Sequence, residues 1–405
     1  MNNKIELLSP AGDLERLKFA FLYGADAVYL GGEQYGMRTA GKNFSLDAMK
    51  QGVEFAHTRG KRVHLTLNTV LTNEEADTLP DYLKEIEKIG VDAVIVADIG
   101  VLAMVKKYLP NTEIHLSTQV GIMNYLTAQT AYNLGAKRVV LARELDLEQI
   151  KILRDKAPSD LEIEAFIHGA MCMSFSGRCL LSKYLTNRDA NRGQCAQPCR
   201  WQWQLSLKED ETKKYDIEEN KDESFILNAD DLCTIKFIDK IHKAGINSFK
   251  IEGRAKSFYY VASTTMAYRK AIDAYYKDMD NYVCPPEALE ELEKTSHRRY
   301  STGFYESQDN AKQNTQMGGY IRTWDVMAVV LKCENGRIYF SQRGKFIKGD
   351  TLELLCPNGV VYSIIANEIY DDEENEIEST PRSMMLFSVK SDIIVPSMSI
   401  LRKKQ

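Results

Sequence analysis

The 405-residue chain has no run of about 18 apolar residues, the length needed to cross a bilayer, so no membrane span is expected. Its first residues, MNNKIELLSPAG, lack the basic region and apolar core of a secretory signal, which makes the cytosol the expected compartment. It also lacks an H-E-x-x-H pair, a G-x-S-x-G elbow and a Walker glycine loop, so a standard metalloprotease or serine hydrolase has no local motif behind it. Two of its six histidines, His57 and His242, fall in helical periods and read as surface residues. No large excess of one charge is present: the net charge is -5, which neither demands nor forbids a polyanionic partner, since a local basic patch can hide under such a total. With 44 % hydrophobic and 27 % charged residues, disorder is not the default either.

What is present is one grammar repeated over the first 255 residues. A β-rich run, a polar or glycine turn and a helical period follow one another. The runs are IELLSP (5–10), DAVYLGG (26–32), RVHLTLN (62–68), DAVIVAD (92–98), EIHLST (113–118), RVVLAR (138–143), EIEAFIHG (162–169) and SFKIEGR (248–254). Most read as near-continuously apolar, as parallel strands covered on both faces should. The clearest helix is NEEADTLPDYLKEIEKIG (73–90), with Asn73 as N-cap, Leu79, Leu83 and Ile86 on one face, and Gly90 at its end. Eight such units predict an α/β fold, a (β/α)8 barrel of the TIM type over residues 1–280, with an open doubly wound sheet as the alternative. About 60 residues separate the seventh strand from the helix expected near Leu232, and loops that long in a compact domain are usually functional. This cysteine-rich insertion covers about 169–231, and WQWQLSL (201–207) and ESFILNADDLC (223–233) read as strands of a small subdomain around it. Residues 281–316 read as a linking helix and turn, and 317–405 as a small all-β barrel with ENG and PNG turns.

Active sites of parallel barrels lie at the C-terminal strand ends. The polar residues there are Glu33 and Arg38 after strand two, Asn68 after three, Asp98 after four, and Thr118 and Gln119 after five. Arg143 and Glu144 follow strand six, His168 strand seven, and Glu252 and Arg254 strand eight. A ring of such groups around one mouth makes a polar pocket, although each alone also reads as a helix cap or a structural ion pair. Arg143 and Arg254 have the guanidinium geometry to grip carboxylate or phosphate. Glu33, Glu144 and Glu252 are, by position, the candidate acid or base.

Cys172, Cys179, Cys195 and Cys199 fall within 28 residues of the insertion, and Cys233 follows at what reads as a helix start. In a reducing compartment clustered thiols signal metal binding or redox chemistry more often than disulfides. Only Cys195 and Cys199 form the paired turn common in structural zinc sites. Four dispersed thiolates suit an iron–sulfur cluster at least as well, and unligated thiols are the third reading. Gly169, Gly177 and Gly193 would let backbone N–H groups approach the sulfurs. Cys284, Cys333 and Cys356 lie far downstream and read as incidental thiols.

Taken together, ELLSPAGDLERLKFAFLYGADAVYLGG, HGAMCMSFSGRCLLS, NRGQCAQPCRW, the DLC at 231–233, SFKIEGR and RGKFIKGDTLELLCPNG resemble the peptidase U-32 family over nearly the whole chain. QCAQPCRW is most similar to the branch that makes 5-hydroxyuridine at the tRNA wobble position. The resemblance implies a 4Fe–4S cluster on Cys172, Cys179, Cys195 and Cys233, with Cys199 as reserve ligand. It further implies an oxygen-independent hydroxylation linked to prephenate, with tRNA and a small dicarboxylate as partners. Arg38, Arg143, Arg178 and Arg254 would then be candidates for the carboxylates, and Asn68, Gln119 and His168 would line the substrate site. Ser296–Tyr300, Arg200–Trp201 and Leu401–Gln405 would be candidate RNA contacts, or simply exposed basic surface. The family name also implies a collagenase-like peptidase, for which no catalytic residues are evident, and a non-catalytic module with structural zinc is the third function.

Overall fold

The computed structural model describes residues 4–36, 43–172, 174–175, 178–201, 206–207, 210–214, 229–307 and 319–405. Strands β1 (Glu6–Pro10), β2 (Ala27–Gly31), β3 (Arg62–Leu67), β4 (Ala93–Val96), β5 (Glu113–Leu116), β6 (Arg138–Val140) and β7 (Glu162–Ala170) alternate with helices α1 (Leu14–Leu22), α2 (Leu46–His57), α3 (Asn73–Ile89), α4 (Ile99–Tyr108), α5 (Tyr125–Asn133) and α6 (Leu147–Lys156). The insertion carries α7 (Leu181–Thr186) and the hairpin β8 (Ser206–Leu207) with β9 (Asp210–Lys214), and β10 (Asp231–Cys233) closes it. Then come α8 (Ile238–Lys243), β11 (Ser248–Ile251) and α9 (Phe258–Lys277). The strands pair in parallel from β1 to β7, and β11 pairs with both β7 and β1, so eight strands close the expected barrel.

Helix α3 starts one residue earlier than expected. Thr72 is its N-cap, accepting from the Glu75 N–H, while the Glu75 carboxylate accepts from the Thr72 N–H in a capping box. Gly90, left-handed at φ 76°, ends the helix as the sequence suggests.

The strands are less apolar than their runs suggest. Alternate residues point into the barrel, and toward the strand starts these are charged. Arg138 is buried and donates to Glu162 at 2.7 and 2.9 Å, to Glu164 at 3.1 Å and to Glu6. Arg62 bridges Glu113 and Glu6, and Lys250 Nζ reaches Glu164 at 2.7 Å. Strands β1, β3 and β6 are not neighbours, so these groups meet through the barrel interior. Burial alone would raise the Glu164 carboxyl, but Lys250 and Arg138 hold it down at about 2. Burial pushes both His64 and His115 down, so they are neutral near pH 7, and their rings meet edge to face at 4.8 Å.

Beyond the barrel, α10 (Pro286–Glu293) and β12 (Tyr300–Ser301) lead to β13 (Trp324–Glu334), β14 (Arg337–Gln342), β15 (Thr351–Leu355), β16 (Val361–Ile365), β17 (Ile369–Asp371), β18 (Leu386–Lys390) and β19 (Ile400–Lys404). These seven make an antiparallel half-barrel in the order β16-β15-β19-β13-β14-β18-β17, with its own core around Phe340, Phe346 and Phe387. It packs on α1 and α9 through Phe19, Tyr23 and Met266 against Val329, Leu355 and Ile400. Two stretches considered for RNA contact are partly taken up here, while Lys404 at the C-terminal end stays exposed. Arg402 of the C-terminal stretch is fully buried on Glu291 and Glu353, and Arg298 is buried against Asp231. Of the Ser296–Tyr300 basic residues, Arg299 is exposed, and it pairs with Asp230 at 2.8 Å.

Removing Arg138 leaves Glu6, Glu162 and Glu164 facing one another. Arg138→Met should therefore cost about 3–5 kcal/mol in urea denaturation, as breaking a buried ion pair does. The barrel interior also sets an acid limit. The buried histidines exclude protons that the unfolded chain takes up below about 6.5, and Glu164 excludes them from 4.5 down to about 2. The unfolded state binds more protons in both windows, so stability falls with pH in each. Urea midpoints should decline steadily from pH 7 to pH 3; a flat profile over that range would contradict this account.

Candidate functional site

Strand β7 runs past the barrel rim to Ala170, and β10 returns along it antiparallel, pairing Asp231 with Ala170, Leu232 with Gly169 and Cys233 with His168. Both ends of the insertion are thereby fixed to one strand tip at the mouth. Cys233 sits at the end of a strand, a correction to the expected helix start, and α8 begins only at Ile238. The run DLCTIKF is apolar enough for either state, and the pairing with β7 decides it. Gly169 has φ 107°, and a Cβ there would lie 2.5 Å from the Glu252 carbonyl oxygen, so only glycine lets β7 and the chain after β11 come this close.

The strand tips meet in pairs. Asn68 donates to Gln119 at 2.7 Å, and Ser117 donates to the same oxygen at 3.2 Å. Arg143 donates to Glu252 and to the Ala170 carbonyl, both at 2.9 Å, and its guanidinium lies 3.8 Å above the Phe166 ring. Arg254 is buried and donates to Thr66 at 3.0 Å; a Cβ on Gly31 would stand 2.2 Å from its terminal nitrogen. His168 is buried among Tyr260, Tyr268 and Tyr300, and burial, with His297 and Lys256 nearby, pushes it down to about 3. Glu33 is exposed, Glu144 is half-buried, and Arg38 lies outside the described residues. Asp98 turns out to be a helix cap, accepting from the first N–H groups of α4. Sequence reasoning missed Thr66, Ser117, Tyr260 and Tyr268; it named Tyr300 only as a candidate RNA contact and Asp231 only as part of the DLC motif.

The insertion faces the mouth across a cavity of about 700 Å3. Arg178, Cys179, Asn191 and Arg192 line one side; Thr69–Thr72, Asp98 and Gln119 line the other. Arg192 holds the two sides together, bonding Glu75 at 2.5 and 3.0 Å and the Val70 carbonyl at 2.8 Å. Glu75 therefore caps α3 and anchors the insertion with one carboxylate. Asn191 fastens the Cys179 backbone, accepting from its N–H at 3.3 Å and donating to its carbonyl at 3.1 Å.

The thiols fall into different settings. Cys172 and Cys195 are exposed, and Cys179 and Cys199 are half-buried. Burial raises the Cys199 thiol, and Cys172 and Cys195 stand close enough to raise it further. The Cys233 thiol is pushed up to about 11 by burial and lies 3.9 Å from the Tyr268 hydroxyl. Backbone N–H groups already point at two sulfurs, from Leu181 to Cys179 at 3.4 Å and from Gln197 to Cys195 at 3.3 Å. Five thiols on one pinned loop suit an iron–sulfur group in kind. Among the described residues, however, no three His, Cys, Asp or Glu side chains are gathered at metal-binding distance. Among them, too, no helix is long and apolar enough to cross a membrane.

Residues 12–315 match the model of Peptidase family U32, and residues 322–402 match that of the Peptidase family U32 C-terminal domain. The tRNA hydroxylation protein P1 of Bacillus subtilis (strain 168) is 39 % identical over 407 residues, spanning 100 % of this chain and 96 % of that protein. The tRNA hydroxylation protein P of Escherichia coli (strain K12) is 36 % identical, spanning 88 % and 87 %. A protein named Collagenase from Porphyromonas gingivalis is 35 % identical, spanning 75 % and 74 %. The first match covers the barrel with its cysteine insertion and the second covers the half-barrel, and on these grounds the chain belongs to peptidase family U32.

Proposed function

We propose that this chain is an RNA-modifying enzyme that hydroxylates a tRNA base, the wobble uridine at C5, with an iron–sulfur group at the barrel mouth. The observation that carries the reading is the likeness, over the full length of this chain, to a protein named for tRNA hydroxylation. The pinned thiol loop beside a polar cavity supports it. Cys172, Cys179, Cys195 and Cys233 would hold the 4Fe–4S group, with Cys199 in reserve. When bound through four thiolates, such a group supplies one-electron transfer at a potential set by its burial and hydrogen bonds.

The chain's own residues do the rest. Arg178 at the cavity wall, with Arg143 and Arg254 at the strand tips, would hold the carboxylates of a small hydroxyl donor such as prephenate, without molecular oxygen. Glu252, already bonded to Arg143, positions that guanidinium. Glu33 and Glu144 are left as the candidates to move a proton. Asn68 and Gln119 present amide groups suited to a base edge. The peptidase reading is weaker on chemistry: His168, the histidine at the strand tips, is buried and neutral far below pH 7, so it is a poor general base.

Two measurements test the proposal. Nucleoside mass spectrometry of a deletion strain should show wobble 5-hydroxyuridine falling to background, restored by the wild-type gene and not by Cys179→Ala. Anaerobically purified protein should contain iron and sulfide, with each of Cys172→Ala, Cys179→Ala, Cys195→Ala and Cys233→Ala losing most of both and Cys199→Ala keeping them. Colourless wild-type protein carrying zinc alone would replace this reading with the structural-zinc one.

A further inference from the structure

Helix α7 presents an uncovered face at the edge of the cavity. Of its own residues only Ser182 is buried. Tyr184 is 80 % exposed, and Leu180 and Leu185 are exposed beside it. Leu180 also lines the cavity, so face and cavity are continuous. Phe175, half exposed, leans over Gly121, where a Cβ would stand 3.1 Å from its ring.

The charge around this face is unlike that of the chain. From Arg178 to Trp201 there are five basic residues and one acid, Asp189, in a protein of net charge -5. Arg192 spends its charge on Glu75, whereas among the described residues no carboxylate pairs with Lys183 or Arg188. Exposed rings rimmed by such cations suit a ligand with open ring faces and a polyanionic backbone. A duplex hides its ring faces in its own stack. An unpaired RNA loop offers both.

We infer that the α7 face docks a single-stranded RNA loop, with Tyr184 stacking on an unpaired base and Lys183 and Arg188 meeting the flanking phosphates. The inference rests on the RNA-modifying reading above and deepens it. A nucleotide next to the stacked base would reach the cavity edge at Leu180 and Arg178. None of Lys183, Tyr184 and Arg188 belongs to the thiol set or the strand tips, so the surface can be altered without touching them.

The test is fluorescence anisotropy of the full-length protein with a hairpin RNA carrying an unpaired uridine loop, beside the blunt duplex of its stem. Wild type should prefer the hairpin. Tyr184→Ala should weaken hairpin binding about ten- to a hundredfold, with Tyr184→Phe restoring it. The pair Lys183→Gln and Arg188→Gln should flatten the salt dependence by about 0.7 per lost contact. Unchanged melting temperatures would show that the variants fold. Hairpin binding indifferent to all these changes would overturn the docking surface and leave the RNA-modifying reading standing. Wild type that binds neither RNA would overturn both. A dimer that Tyr184→Ala disperses, with RNA affinity unchanged, would assign the face to a second copy of the chain and overturn the inference.

Discussion

The pairing of β10 along the tip of β7 is the constraint on which the functional end of this molecule depends. Three residue pairs turn a long excursion into a closed loop whose ends lie side by side. Without it, Cys233 and Cys172 would have no common reference. With it, every thiol of the cluster is tethered to one strand that also carries His168 and adjoins Glu252. The second tie, from Arg192 to Glu75, lies across the mouth and shapes the cavity between the insertion and the loop leading to α3. Its partners are each about one-third exposed, so its energy is small, and its contribution is to alignment.

The two ends of the barrel use polarity differently. At the strand starts, cations and carboxylates neutralise one another inside the ring around Arg138, and Arg62 and Glu113 at its edge also line a cavity of about 410 Å3. At the strand tips the polar groups pair more sparsely, and several sit beside the cavity or the thiol loop. The same period-two alternation produces both. The floor is an ion network with Arg138 buried at its centre and a partly exposed rim, suited to stability, and the mouth holds Arg143 and Arg254 beside polar partners.

Much of this was legible in the sequence, and the reasons for the remainder are physical. The eight strands announced themselves because β-rich runs alternate with turns at regular spacing, and the cysteine insertion because it breaks that spacing. The charged barrel interior was not legible: in strands as short as EIHL or RVV, one charged end residue reads as a boundary. Arg298 and Arg402 looked like surface because their partners, Asp231 and Glu291, are distant in sequence and no periodicity links them. The strand-tip residues were found as a set, but their pairing, Asn68 with Gln119 and Arg143 with Glu252, follows from the barrel's curvature. The α7 face was hidden for a similar reason, since its short apolar run resembles a core segment until its neighbours are known.

Leu7 lies opposite Phe249 in the pairing that closes the ring. Ribosomes add about 5–20 residues each second, so the first strand waits roughly 12–50 s for its partner to emerge. All five clustered cysteines are translated within that interval, ahead of Ser248. The nascent chain therefore carries five thiols while its sheet still has two unpaired edges, so a reducing environment during translation matters to this protein.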